Sequence, residues 1–288
     1  MNTAVKIGVI GGSGLYEIAG MTNVEEVRPN TPFGEPSDAI IIGELDGRSI
    51  AFLPRHGRGH TISPTEIPSR ANIYALKALG AEWIISVSAV GSLKEGIHPL
   101  DLVVPDQIID RTKSRVNSFF DGGLVAHVSF AEPFCPTLSN ILYHAALDVG
   151  ANVHQEGTYI AMEGPLFSTK AESNLYRSWG ASIIGMTALP EAKLAREAEI
   201  CYATLACITD YDTWHETEES VTIEMALANL MLNADKAKKI IGLVAARIPE
   251  KRECGCAEAL ENAIITAPEK IPVRIKEDLE LLIGKYIT

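Results

Sequence analysis

Nothing in this chain reads as a membrane span: no apolar run approaches the ~20 residues that a bilayer crossing requires. The opening MNTAVKIGVIGGSG enters an apolar stretch almost at once, with no charged region ahead of a separate apolar one. A secretory leader is therefore not expected, and a cytoplasmic location is. Positive charge is scarce. With 25 Lys and Arg against 37 Asp and Glu, the net charge of −12 argues against nucleic acid as a general partner. A local basic pocket for a small anion stays open. Two nucleotide-binding signatures are missing as well. The dinucleotide fingerprint G-x-G-x-x-G fails because Glu17 stands at the third glycine when the count begins at Gly12. The Walker pattern fails because no Gly-Lys-Ser/Thr follows Gly14.

Cysteine is sparse, at five, an odd number for a disulfide framework. Cys135, Cys201 and Cys207 sit among apolar neighbours and read as small core residues. Cys254-Gly255-Cys256 lies in a polar link, EKRECGCAEA, with no further Cys or His close in sequence. No metal site is expected there, and the pair is either a disulfide or two reduced surface-loop thiols.

What is present is an α/β alternation. A length of 288 residues suits one large domain or two small ones, and 47% hydrophobic content supports a full core. Residues 5–11 form a short apolar strand that ends in Gly11-Gly12-Ser13-Gly14, a turn whose amides can line an anion nest and whose Ser13 adds a hydroxyl. Residues 39–43 and 49–54 flank Asp46-Gly47, a hairpin signal. The second of these strands opens into Arg55-His56-Gly57-Arg58-Gly59-His60. Arginine forks among glycines at a strand end suit an anion. The His56/His60 spacing matches a helical zinc pair, but the intervening glycines disfavour a helix there.

Farther on, helices are expected over 64–78, 136–150, 168–179 and 190–198, with Ser168 as an N-cap and Glu172 near the capping-box position. Ser220 is read as the cap of a long helix to about 247, and helices near 257–266 and 275–286 close the chain. Strands are expected over 83–87, 101–109, 157–162, 182–186 and 201–210, and 110–134 reads as a long functional or interface loop. The strand 201–210 delivers Thr209, Asp210, Tyr211 and Asp212. Two carboxyls one residue apart on an emerging strand face the same side, and an apolar setting lets one hold a proton near neutral pH. Together this predicts a single α/β domain over 1–288, with a mixed, mostly parallel central sheet flanked by helices. Its core covers about 5–245 and a helical tail about 250–288. Six strand-end segments (11–14, 55–60, 88–91, 163–168, 186–187 and 209–212) are candidates for one pocket at the carboxyl ends of the strands.

GVIGGSGLYE, TPFGEPS, LPRHGRGH, SVSAVGSL, AEPFCP, EGPLFSTKAES, GMTALPEAKLAREA and TDYDTWHE occur in that order. Together they resemble the trimeric purine nucleoside phosphorylases over about residues 5–245, and more closely the branch that cleaves 5′-methylthioadenosine. The resemblance implies phosphorolysis of that nucleoside to adenine and 5-methylthioribose 1-phosphate. It implies no cofactor and no metal, phosphate being a co-substrate, and a homotrimer. It places Ser13, Arg55, His56, Ser88, Ala89 and Thr187 on phosphate, Met186 beneath the ribose, and Phe167 on the base. Asp210 and Asp212 fall on the purine edge, Asp210 to protonate N7 and Asp212 to accept from the 6-amino group. Relatives for 6-oxopurines typically have Asn where Asp210 stands and Glu where Ser168 stands, so an adenine preference is expected. Ile223 falls near the 5′ substituent, and His127 matches a residue that reaches a neighbouring subunit. The runner-up substrates are adenosine, inosine and methylthioinosine. Ser13 and Ser88 depart from the Thr often seen in animal relatives, and the tail with its CGC is longer than in many relatives.

Overall fold

The computed structural model describes residues 5–12, 15, 20–215 and 223–287; the side chains of residues 223–227 and 230 lie outside that description. Ser13 and Ser220 fall outside it too. A single eleven-stranded sheet organises the chain. At its centre β1 (Ile7–Gly11) pairs in parallel with β4 (Arg48–Pro54) on one side and β5 (Trp83–Ser92) on the other. The ten-residue β5 pairs in parallel with β11 (Cys201–Tyr211) along most of its length. Its outer end, Gly91 and Ser92, meets β10 (Ile183–Gly185) in antiparallel fashion. Beyond β10 lie β9 (Thr158–Met162) and β7 (Gln107–Arg111), both parallel. On the other flank β3 (Ile40–Leu45) and β2 (Thr22–Val27) add antiparallel pairings. The short β6 (Leu102–Val104) runs antiparallel to β11 and carries β8 (Val153–Gln155).

The central strands are apolar throughout because both faces are covered. Ile84 faces one buried cluster with Ile10, Leu76, Leu194 and Ile208. Its neighbours Trp83 and Ile85 face the other, with Leu138, Leu142, Leu205 and Val244. This period-two split assigns α1 (Ser69–Ala78) and α4 (Ala188–Glu197) to one side of the sheet, and α2 (Pro136–Asp148) and α5 (Ile223–Arg247) to the other. The predicted mixed, mostly parallel sheet is what forms.

Several boundaries differ from expectation for local reasons. The helix expected from 64 begins only at Ser69, because Pro68 at its N-cap biases Ile67 away from helical geometry. The strand expected over 101–109 is two strands, β6 and β7, separated by Pro105 and Asp106 and paired with different neighbours. Thr169, not Ser168, caps α3 (Lys170–Ser178): its hydroxyl accepts from the Glu172 amide while the Glu172 carboxylate accepts from the Thr169 amide. The helix expected over 257–266 is a single 3-10 turn at Gly255–Glu258, after which Ile264 bridges to Ala126 in the long loop. The last helix is split at Leu279 into α6 (Val273–Asp278) and α7 (Glu280–Ile283). Between β3 and β4, Asp46 and Gly47 both take positive φ (49° and 76°), the primed hairpin turn that Asp-Gly favours.

The cysteines overturn one reading outright. Cys256 is buried and Cys254 half-buried, and their sulfurs join those of Cys135 and Cys201 within 4.8 Å of one another. The long separations in sequence, 119 residues from Cys135 to Cys254 and 53 from Cys201 to Cys254, hide the cluster from any local motif.

Candidate active site

The carboxyl ends of β1, β4, β5 and β11 converge with the segment after β9 and the start of α4 on one cavity of about 280 Å3. Of the residues that sequence reasoning singled out, Arg55, His56, Ser88, Ala89, Phe167, Met186, Thr187, Asp210 and Asp212 line it. Gly12, His60, Gly91 and Thr209 line it too, so each of the six strand-end segments contributes. Two described residues, Ser168 and His127, are not among its lining. Ser168 is buried beside it, with its hydroxyl 3.7 Å from the Met162 sulfur. His127 is pinned to the C-terminal segment, its amide donating to the Ala263 carbonyl (2.9 Å). Ser13 lies outside the described residues, as does the side chain of Ile223, the first residue of α5.

One side of the cavity is built for a small oxyanion. The hydroxyls of Ser88 on β5 and Thr187 at the N-cap of α4 stand 2.9 Å apart. His56 follows β4; its Nδ1 donates to the Ile62 carbonyl (2.9 Å), which fixes the tautomer and leaves Nε2 as the other ring nitrogen. Burial first, then the Arg55 guanidinium, holds the His56 pKa down at about 4. The neutral imidazole stacks on His60, ring centroids 4.3 Å apart.

The two arginines of this loop do not act as the free cations expected of them. Arg58 points outward and pairs with Glu26 and Asp38. Arg55 is fully buried and forms a bidentate pair with Glu191 of α4. It donates further to the Val87 carbonyl (3.1 Å) and Ser86 hydroxyl (2.7 Å). Glu191 in turn accepts from Ser86 (2.9 Å) and the Tyr202 hydroxyl (2.9 Å). Local pattern in the sequence did not reveal Glu191, because its partner lies 136 residues away.

The opposite side presents acids. A bulge in β11 between Ile208 and Asp210 breaks the register with β5 and turns Thr209, Asp210 and Asp212 toward the cavity. The backbone there is held by Asn229, which donates to the Thr209 carbonyl (2.6 Å), and Asn233, which donates to that of Ile208 (3.2 Å). The Thr209 hydroxyl donates to Asp210 Oδ2 (2.6 Å). Asp212 is buried, and burial raises its pKa against the opposing effect of the Ser173 and Ser168 hydroxyls. Its Oδ2 has no hydrogen-bond partner among the described residues. Gly91 makes room for both acids: a Cβ there would sit 3.0 Å from Asp210 Oδ1 and 3.4 Å from the Asp212 Cβ.

Arg115, from the long loop, fastens the remaining wall. Its guanidinium donates to the carbonyls of Met162 (3.2 Å) and Leu189 (2.6 Å) and to those of Glu163 and Met186. Four carbonyls on two separate segments are thereby held by one fork, and Met186 and Phe167 on those segments line the cavity. Phe167 is half exposed at the mouth. Sequence reasoning missed Arg115 as well.

The chain is similar to known proteins over almost its whole length. Residues 6–246 match the model of the phosphorylase superfamily. A S-methyl-5'-thioadenosine phosphorylase of Thermosynechococcus vestitus is 56% identical, covering 98% of this chain and 99% of that one. A protein of the same name from Chloroflexus aurantiacus is 59% identical, covering 97% of this chain and 98% of its own length. Among solved structures, a methylthioadenosine phosphorylase from an antarctic soil metagenomic library superposes with a TM-score of 0.93 at 52% identity, covering 97% of this chain and 99% of that one. The Schistosoma mansoni methylthioadenosine phosphorylase in complex with adenine superposes with a TM-score of 0.82 at 34% identity, over 97% of this chain and 98% of that one.

Proposed function

The chain belongs to the phosphorylase superfamily, and from that premise we propose that it catalyses phosphorolysis of S-methyl-5'-thioadenosine to adenine and 5-methylthioribose 1-phosphate. One juxtaposition supports that activity: a single cavity sets an oxyanion wall of His56, Ser88 and Thr187 opposite a carboxyl wall of Asp210 and Asp212. Phosphate held on the first wall attacks the anomeric carbon of the ribose, and the bond from that carbon to purine N9 breaks. Positive charge develops on the ribose, beside the bound dianion, and negative charge on the purine. Asp210 delivers a proton to N7, and Asp212 lies at the exocyclic amino group. Burial raises the pKa of Asp212 itself.

The oxyanion wall works by oriented dipoles. Glu191 cancels the charge of Arg55, and His56 is neutral before phosphate arrives. A dianion beside the imidazole favours its protonated form, so phosphate and a proton bind together there. Ser13 is assigned to phosphate on the sequence resemblance alone; Ala89 backs the phosphate, and Met186 and Phe167 pack on ribose and base. Ser168 leaves room for a 6-amino group, and Ile223 is assigned to the 5′ substituent on the sequence resemblance alone. The enzyme is a cytoplasmic homotrimer in which the loop bearing His127 meets a neighbouring subunit. It uses no organic cofactor or catalytic metal and has neither nucleic acid nor membrane as a partner; among the described residues no helix is long and apolar enough to cross a membrane.

Release of free base, measured with and without phosphate on methylthioadenosine, adenosine, inosine and methylthioinosine, tests the assignment. Phosphate-dependent release of adenine, fastest from methylthioadenosine, is expected. Phosphate-independent release, or preference for the 6-oxo substrates, overturns it.

A further inference from the structure

The four-cysteine cluster lies apart from the cavity and is not used by the reaction. Cys201 opens β11, and Cys135 is the N-cap of α2, its amide donating to the Tyr202 carbonyl (2.8 Å). Two core elements thus hold these two thiols side by side. The other two come from the segment after α5, where Cys254 precedes the 3-10 turn that contains Cys256. The Cys254 sulfur stands 3.3 Å from that of Cys201 and 3.6 Å from that of Cys135. One sulfur thus touches the two held by the core elements. All four lie within 4.8 Å of one another, and a tetrahedral zinc with Zn–S of about 2.3 Å requires sulfur separations of about 3.8 Å.

The surroundings suit thiolate charge. Cys135 lies at the positive end of a thirteen-residue helix. Arg196 of α4 places Nη1 3.9 Å from the Cys256 sulfur, and its other nitrogen is anchored on the Glu132 carbonyl. A guanidinium held at this distance is an outer partner that offsets the excess negative charge of four thiolates around a divalent ion.

We propose that Cys135, Cys201, Cys254 and Cys256 bind one structural zinc-type divalent ion that clasps the C-terminal segment to the start of β11 and α2. Binding displaces thiol protons to solvent and needs no oxidant.

The full-length protein, exposed to Zn2+ and freed of loose metal by gel filtration, is analysed for metal content. One zinc per chain is expected, against near-complete loss in the Cys254→Ser/Cys256→Ser variant with phosphorolysis retained. Co2+ in place of zinc is expected to give the thiolate charge-transfer and intense visible bands of a tetrahedral tetrathiolate centre. After a strong chelator, the unfolding temperature falls by several degrees in the wild type and is unmoved in the variant. Thiol titration of the chelated, denatured protein is expected to find all five cysteines reduced. A single reactive thiol in protein never exposed to oxidant would mean two disulfides and overturn the proposal. So would five thiols without stoichiometric metal, or equal metal in the variant. Should the double variant not fold, the cobalt spectrum and the thiol count on wild-type protein decide alone.

Discussion

At the residue scale the site divides into groups that touch substrate and groups that hold them. Asp210, which lines the cavity, is assigned by the proposed reaction to the first kind. Asp210→Asn keeps the shape of the purine edge but removes the acid, and is expected to lower kcat/KM on 6-aminopurine nucleosides about tenfold to a hundredfold more than on 6-oxopurine nucleosides. Equal losses on both would remove Asp210 from discrimination. Glu191 belongs to the second kind. Glu191→Gln leaves Arg55 charged and buried without its counter-ion, a cost on the order of 3–5 kcal/mol, read as a lower midpoint in denaturant with a raised KM for phosphate. Arg55→Ala strands the buried Glu191 carboxylate in the same way and is expected to lower the denaturant midpoint and raise KM for phosphate together; an unchanged KM for phosphate would mean that the pair does not position that wall. The cavity-facing groups were legible in the sequence because each lies in the carboxyl-terminal part of a strand or just beyond it, with a glycine or hydroxyl nearby. Glu191 and Arg115 were not, since the one sits inside a helix and the other in a loop, and their partners are set only by tertiary packing.

At the scale of elements, the junction of β5 and β11 decides the purine edge. The bulge in β11 turns the acids inward, and Gly91 on β5 gives them room. Gly91→Ala forces a methyl group to within 3.0 Å of an Asp210 oxygen. The strain, about 1–3 kcal/mol, is expected to appear as a tenfold to hundredfold loss in kcat/KM for the nucleoside, with KM for phosphate nearly unchanged. A parallel loss on phosphate would mean that the two walls are not separable. The sequence announced these strands as long apolar runs, but a bulge leaves no trace in hydrophobic pattern. The charged edge strand β2, TNVEEV, escaped notice because it has almost no buried face. Split elements such as β6 and β7 escaped because period-two pattern runs on through the intervening Pro105 until pairing partners are known.

For the whole molecule, two buried groups set opposing acid–base trends in stability. His56 titrates at about 4 in the fold and near 6.5 when unfolded, so the unfolded chain takes up the proton first. This contribution is complete above about pH 6.5 and is lost as pH falls toward 4. Glu197 behaves in the opposite sense. Burial pushes it up to about 7 despite hydrogen bonds from Ser118 and the Phe119 amide, so the folded protein keeps the proton and stability declines as pH rises from about 4.5 to 7. Each effect is on the order of a few kcal/mol. Thermal midpoints across pH 4–8 are expected to lose their acid slope in His56→Asn and their neutral-side slope in Glu197→Gln. Wild-type slopes in both variants would refute the assignments.

The closed pair of Arg55 and Glu191 also fixes how the protein meets its anionic co-substrate. A bare guanidinium at the mouth would cast an attractive field about 30 Å into roughly 0.01 M salt and lose that reach as ions are added. Here the field is cancelled inside the wall, and what remains are hydroxyls and a ring nitrogen that act only on contact. Phosphate is therefore held at this wall by groups that it must touch, and the buried ion pair adds little long-range pull of its own.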